Sequence, residues 1–104
     1  MLNEEETYTT YILKCSDGTY YTGYARSLED RIRLHQEGRG AKYTRSRRPV
    51  RPAASWPFSS RSTAMKLEAA IKKCSHKEKE VLVQKKPSPK QMEEDFLKNN
   101  KIRG

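Results

Sequence analysis

The apolar and polar positions divide the chain into short segments of different period. From Tyr8 to Cys15 the residues are mostly aromatic, β-branched or aliphatic, with Tyr11, Ile12 and Leu13 at the centre, which predicts a strand. Asp17-Gly18 follows, a strong hairpin signal because glycine takes up positive φ without a Cβ clash. A second strand is expected from about Thr19 to Ala25, antiparallel to the first. Gly23 interrupts it, and a glycine inside a strand marks a bulge or the close approach of another group. The period then changes from 2 to about 3.6. Ser27 is placed as an N-cap with Asp30 at the third helical position. Leu28, Ile32 and His35 recur at helical spacing, Arg31 borders their stripe, and Gly38 ends the helix near Glu37.

Residues 38–51 read GRGAKYTRSRRPVR and follow neither period, so a loop is expected there. A third strand around Ala53 to Phe58 is flanked or broken by Pro52 and Pro57, which makes it an edge strand or an irregular one. A second helix is expected from about Thr63 to Cys74, with Ala64, Leu67, Ile71 and Cys74 as its apolar stripe and Glu68 beside that stripe. Ser75 and Glu78 form a capping box for a short third helix carrying Val81 and Leu82. Beyond Val83 the run KKPSPKQ reads as a linker, and Met92 to Asn99 as one or two helical turns. The expected fold is α/β: a small three-stranded antiparallel sheet flanked by about three helices over residues 8–83. Residues 1–7 are expected to be disordered, and 84–104 to form a linker and a flexible or weakly helical tail.

Composition narrows the partners. A length of 104 residues suits one small domain. The formal net charge of +9 favours polyanions, either nucleic acid or an anionic membrane surface. No stretch approaches the roughly 20 apolar residues of a membrane span. Glu4, Glu5 and Glu6 stand where a secretory signal would be basic and then apolar, so a cytoplasmic location is expected. Cys15 and Cys74 read as ordinary thiols, and with His35 and His76 they match no zinc spacing. Within 38–51, Arg39, Lys42, Arg45, Arg47, Arg48 and Arg51 stand with no acid among them and with Tyr43 set inside. Such a loop can neutralise backbone phosphates while the aromatic stacks on a base or sugar. The competing reading is a solvated charge run. No groove-reading motif is attached, so any specificity is expected to be low or directed at shape.

Taken one at a time, Tyr11, Tyr21, Arg31 and Glu68 are unremarkable: strand tyrosines usually pack, and Glu68 and Lys72 have the i, i+4 spacing of an ordinary helix ion pair. Together they resemble a family. TTY at 9–11 and YTG at 21–23 are similar to the paired motifs of the GIY-YIG nuclease superfamily. Arg31, eight residues after Gly23, stands at the catalytic-arginine position, with His35 four further on. GAKYTRSRRPVR and LEAAIKKCSHKEKEVLV resemble the small stand-alone bacterial (UvrC N-terminal-domain-like) branch, and Glu68 stands at the metal-binding glutamate. The similarity runs over roughly residues 8–83. Three features depart from the pattern: Thr9 and Thr10 replace Gly and Ile, PAASWPF replaces the usual third strand, and a late asparagine used by several members has no counterpart.

The resemblance implies a Mg²⁺-dependent endonuclease, or one using another divalent metal, that hydrolyses phosphodiester bonds in DNA rather than RNA. Its specificity would be low or structure-directed, in the setting of DNA repair or recombination. Under that implication Tyr21 is the general base, Tyr11 its hydrogen-bonding neighbour, Arg31 the transition-state cation, His35 an orienting group and Glu68 the metal ligand. Arg39, Lys42, Tyr43, Arg45, Arg47 and Arg48 would hold nucleic acid. Two alternatives stand beside it. One is a nucleic-acid-binding module of the same fold with little or no turnover. The other is an adaptor that docks a protein partner through the C-terminal tail.

Overall fold

The computed structural model describes residues 7–98. Among them, β1 (Tyr8–Lys14), β2 (Tyr20–Ala25) and β3 (Arg51–Phe58) form an antiparallel sheet in the order β2-β1-β3. The most apolar strand therefore lies in the middle, where both faces are covered: Tyr11, Ile12 and Leu13 are all buried. The hairpin between β1 and β2 is longer than a two-residue turn. Gly18 N–H bonds the Cys15 carbonyl at 3.0 Å, Cys15 N–H bonds the Thr19 carbonyl at 2.8 Å, and Gly18 takes φ 87°. That is a type I turn closed by a left-handed glycine. The third strand is an edge strand, as its prolines required, and its register against β1 shifts between Ile12 and Leu13.

Each face of the sheet carries its own cluster. Tyr11, Leu13, Cys15, Ala25 and Val50 lie on one side under Leu28 and Ile32 of α1 (Leu28–Gln36). Ile12, Tyr20, Ala54 and Trp56 lie on the other against Leu67 and Ile71 of α3 (Arg61–Lys72). Capping starts the helices where hydroxyls allow it. Ser27 accepts from the Asp30 N–H, Ser60 from that of Thr63, and Ser75 and Glu78 complete a full capping box for α4 (His76–Lys85).

Besides α3, which runs two residues earlier than the expected Thr63–Cys74, two segments differ from the sequence expectation. The basic stretch is not wholly a loop, since Lys42–Arg45 makes one helical turn, α2. The stretch after Val83 packs on the domain: α5 (Pro89–Glu93) begins at the Ser88 cap, a π-helical turn follows over Glu94–Lys98, and Met92 is fully buried in the α3-side cluster with Phe96 against it. The Trp56 indole N–H donates to the Pro87 carbonyl at 2.8 Å and ties the segment down. Burying an aliphatic side chain of this size contributes about 1.5–3 kcal/mol, enough to order a short segment whose prolines already restrict it. The acidic N-terminus expected to fray lies, apart from Thr7, outside the described residues, as do 99–104. No described helix is long and apolar enough to cross a membrane.

Candidate active site

The site is built around the hydroxyl of Tyr11. Tyr11 pairs with Gly23 across β1 and β2, and its ring lies over that glycine. A Cβ at position 23 would stand 2.6 Å from the Tyr11 Oη and 2.8 Å from Cζ. The glycine noted in the second strand is therefore a site of close approach. Tyr21, paired with Leu13, projects from the same face as Tyr11. Between the two tyrosines and the last turn of α1 sits His35, with no solvent exposure. Its Nε2 is 3.2 Å from the Tyr11 hydroxyl, and its ring centroid is 5.1 Å from that of Tyr21. Its Nδ1 is 2.8 Å from Thr44 Oγ1 on α2, and the Thr44 hydroxyl donates to the Ala41 carbonyl at 3.2 Å. Gly40 lets the loop backbone lie against the imidazole, because a Cβ there would stand 2.5 Å from Nδ1.

Two charged groups act on this buried chain. Burial raises the Tyr11 hydroxyl well above the ordinary phenol range; nearby Tyr21 and Glu68 push the same way, and the adjacent Arg31 guanidinium pulls against them. Burial also depresses His35, with the Arg31 charge adding to the effect, so the imidazole is neutral. The charges of Arg31 on α1 and Glu68 on α3 thus both act on one phenol. Glu68 is half-buried, its side chain 21% exposed, and its Oε2 lies 3.4 Å from Lys72 Nζ, the i, i+4 pair its spacing allows. The described residues contain no group of three His, Cys, Asp or Glu that could hold a metal. A single half-buried carboxylate still fits Mg²⁺, which takes one or two protein oxygens and keeps its remaining positions for water or substrate oxygens. Lys72, half-exposed on a flexible stem, can give way to such a cation.

The basic loop is more tightly fastened than its charge suggests. Arg47 donates to Asp17 Oδ2 at 3.0 Å and to the Tyr43 carbonyl at 2.8 Å, and its guanidinium carbon lies 3.9 Å from the Tyr43 ring centroid. Arg48 donates to the Arg45 carbonyl at 2.9 Å and packs on Gly38, whose φ is 79°. Arg39 pairs with Glu37 on the surface at 3.2 Å. Lys42 and Arg45 are exposed and make no ion pair among the described residues. Tyr43 stands 6.0 Å from Tyr21, centroid to centroid, which links the loop to the tyrosine pair. One face of Tyr43 is covered by Arg47, so a stacking role is open only to the rest of the ring. Cys15 and Cys74 are not joined in a disulfide.

Tyr11, Tyr21, Arg31, His35 and Glu68, expected as a set from the sequence, lie in this cluster or act on it electrostatically. Thr44, which bonds His35, and Gly40, which lies against its ring, were not singled out in the sequence. Their signal was weak: a hydroxyl and a glycine inside a charge run, neither at helical spacing from His35.

A small antiparallel sheet with a tyrosine on each of two paired strands, an arginine on the following helix and a glutamate on a later one defines a recognisable class. The GIY-YIG catalytic domain matches residues 7–81, and the chain belongs to the GIY-YIG nuclease family. Within it, the chain is 48% identical over 79 residues to the UPF0213 protein BH0048 of Halalkalibacterium halodurans, covering 76% of this chain and 84% of that protein. It is 38% identical over 88 residues to the UPF0213 protein YazA of Bacillus subtilis, covering 85% and 89%. The fold is similar to the solution NMR structure of the UPF0213 protein BH0048 from Bacillus halodurans, with TM-score 0.52 and 44% identity over 83% of this chain and 92% of that one.

Proposed function

We propose that the domain is a divalent-metal-dependent endonuclease that hydrolyses phosphodiester bonds in DNA, with low sequence specificity or a preference for DNA shape. The observation that carries this reading is the cluster of Tyr11, Tyr21 and His35 at the heart of a GIY-YIG catalytic domain, with the charges of Arg31 and Glu68 acting on the Tyr11 phenol. Tyr11 is buried and holds its proton firmly. Tyr21 is half-exposed on the same face, so it is the phenol that can meet water and accept its proton. Arg31 offers an always-charged donor fork to the developing phosphorane charge. Glu68 is the residue that would hold Mg²⁺, and a bound cation there supplies polarisation of the phosphate. His35, having no exposure, stands behind Tyr11 and not against a phosphate. Lys42 and Arg45, with Arg39, give the loop cations that can meet backbone phosphates.

The test is a panel of labelled flap, branched, duplex and single-stranded DNA incubated with and without Mg²⁺. Cleavage by the wild type that vanishes in Glu68→Ala and Arg31→Ala is expected, and no metal-dependent cleavage of any substrate would sink the proposal. The Glu68–Lys72 pair favours a second reading, a binding module without turnover. That reading expects salt-sensitive binding unchanged by Glu68→Ala and weakened by neutralising Lys42 and Arg45.

A further inference from the structure

Four polar groups form an unbroken line, buried as far as Thr44, from the candidate active site to the basic loop: Tyr11 Oη, His35 Nε2 and Nδ1, Thr44 Oγ1 and the part-buried Ala41 carbonyl. Tyr11, His35 and Thr44 are each at most 1% exposed, so water cannot substitute freely for any of these partners. The direction of the hydrogen bonds follows from proton counting at the Thr44 end. A threonine hydroxyl has one proton. At Thr44 it points to the Ala41 carbonyl, so toward His35 the oxygen can only accept. Reversing it would set the Thr44 lone pairs against the carbonyl oxygen at 3.2 Å. At the other end Arg31 is donor-only. The Tyr11 hydroxyl, 3.2 Å from Nε2, can then donate to a ring nitrogen that carries no proton, which leaves its oxygen free to accept from a donor such as Arg31.

The Thr44 end sets this arrangement and the Tyr11 end accommodates it, and we infer that Thr44 is a positioning residue: it fixes His35 as the Nδ1–H tautomer and thereby turns the Tyr11 proton inward, leaving the Tyr11 oxygen as an acceptor toward the active site. With the other tautomer His35 would donate to Tyr11, and the Tyr11 proton would point into the active site and compete for the water or phosphate there. Thr44 and Ala41 belong to the basic segment, whereas His35 and Tyr11 belong to the helix and sheet. The segment that would meet the substrate backbone is thus the same one that sets the hydrogen-bond polarity of the site. Gly40 supports this, since it is the residue whose lack of a side chain lets the loop close on the imidazole. The kinetic consequence rests on the nuclease reading; the tautomer does not.

The experiment records long-range ¹H–¹⁵N correlation spectra of ¹⁵N-labelled wild type, Thr44→Val and Thr44→Ser near pH 7.5, with kcat and KM measured on the best DNA substrate. Wild type is expected to carry its imidazole proton on Nδ1. Thr44→Ser keeps it there, and Thr44→Val moves it to Nε2. In parallel kcat falls about tenfold in Thr44→Val, the effect of one lost hydrogen bond, at unchanged KM, and Thr44→Ser restores it. A wild type with Nε2–H overturns the inference whatever the activity, and that spectrum alone decides if the valine variant folds poorly. Wild-type kcat in a valine variant whose proton has moved overturns the positioning role. Nδ1–H in a protein that cleaves nothing removes the nuclease reading and leaves the tautomer assignment standing.

Discussion

Replacing Gly23 with alanine tests the packing on which the whole site depends. An added Cβ would meet Tyr11 Oη at 2.6 Å, Cζ at 2.8 Å and Cε1 at 3.3 Å. Ordinary contacts lie near 3.5 Å, so the phenol must retreat by about 0.9 Å. It is poorly placed to do so. The ring is 1% exposed, lies in the cluster with Leu13 and Ala25, and is tethered through its hydroxyl to His35 at 3.2 Å. A shift of that size breaks the tether. Overpacking costs about 1–3 kcal/mol and the lost hydrogen bond about 1 more, so Gly23→Ala is expected to destabilise by about 2–4 kcal/mol. At roughly 4–8 °C per kcal/mol for a domain of this size, Tm should drop by at least about 8 °C. Thermal melts followed by circular dichroism measure it. Tyr11→Phe removes the atom of closest contact and the tether together, so in that background the alanine should cost about 1 kcal/mol less. A Tm for Gly23→Ala within about 2 °C of wild type, or strict additivity in the double variant, would refute the reasoning.

Further outcomes follow from other features. Thr22 Oγ1 is buried with no hydrogen-bond partner among the described residues, so Thr22→Val should raise stability by about 1 kcal/mol in urea unfolding, and a loss would show that the hydroxyl is satisfied after all. Met92→Ala empties a fully buried position and should cost about 2–5 kcal/mol in the same assay; a change under about 0.5 kcal/mol would mean that α5 does not belong to the core. His35 has a depressed folded pKa, so below the unfolded value of about 6.5 the unfolded chain binds the extra proton. Stability should therefore fall as pH drops through that value, and His35→Gln should flatten the slope; equal slopes in both proteins would contradict the assignment. Lys72→Ala releases Glu68 from its ion pair and should lower the Mg²⁺ concentration for half-maximal cleavage, a prediction lost if that concentration does not move.

What could be read in advance and what could not differ in physical kind. Strands β1 and β2, the cap at Ser27 and the capping box at Ser75 rest on local chemistry, and local chemistry is written in neighbouring residues. The start of α3 was misplaced by two residues because Ser59, Ser60, Ser62 and Thr63 all suit a cap, and only the folded chain selects Ser60. The sequence KKPSPKQ contains its helix signal, a serine cap followed by proline at the first turn, yet reads as linker until Trp56 is seen to bind Pro87 and Met92 to enter the core. The tyrosines, arginine and glutamate were legible as a set through family register. The Thr44–His35 contact was not, because it is made by a loop folding back over two glycines, and no periodicity encodes that.

The prolines of β3 have a consequence for how this domain behaves in a crowded solution. An edge strand normally offers a row of backbone donors on which a second sheet can grow. In β3 the positions facing Leu13 and Thr9 are Pro52 and Pro57, which carry no N–H at all, and the register breaks beside the first of them. A neighbouring copy trying to extend the sheet there would find an interrupted ladder. Of the two edges of the sheet, the β3 edge is therefore the poorer template for growth by strand addition.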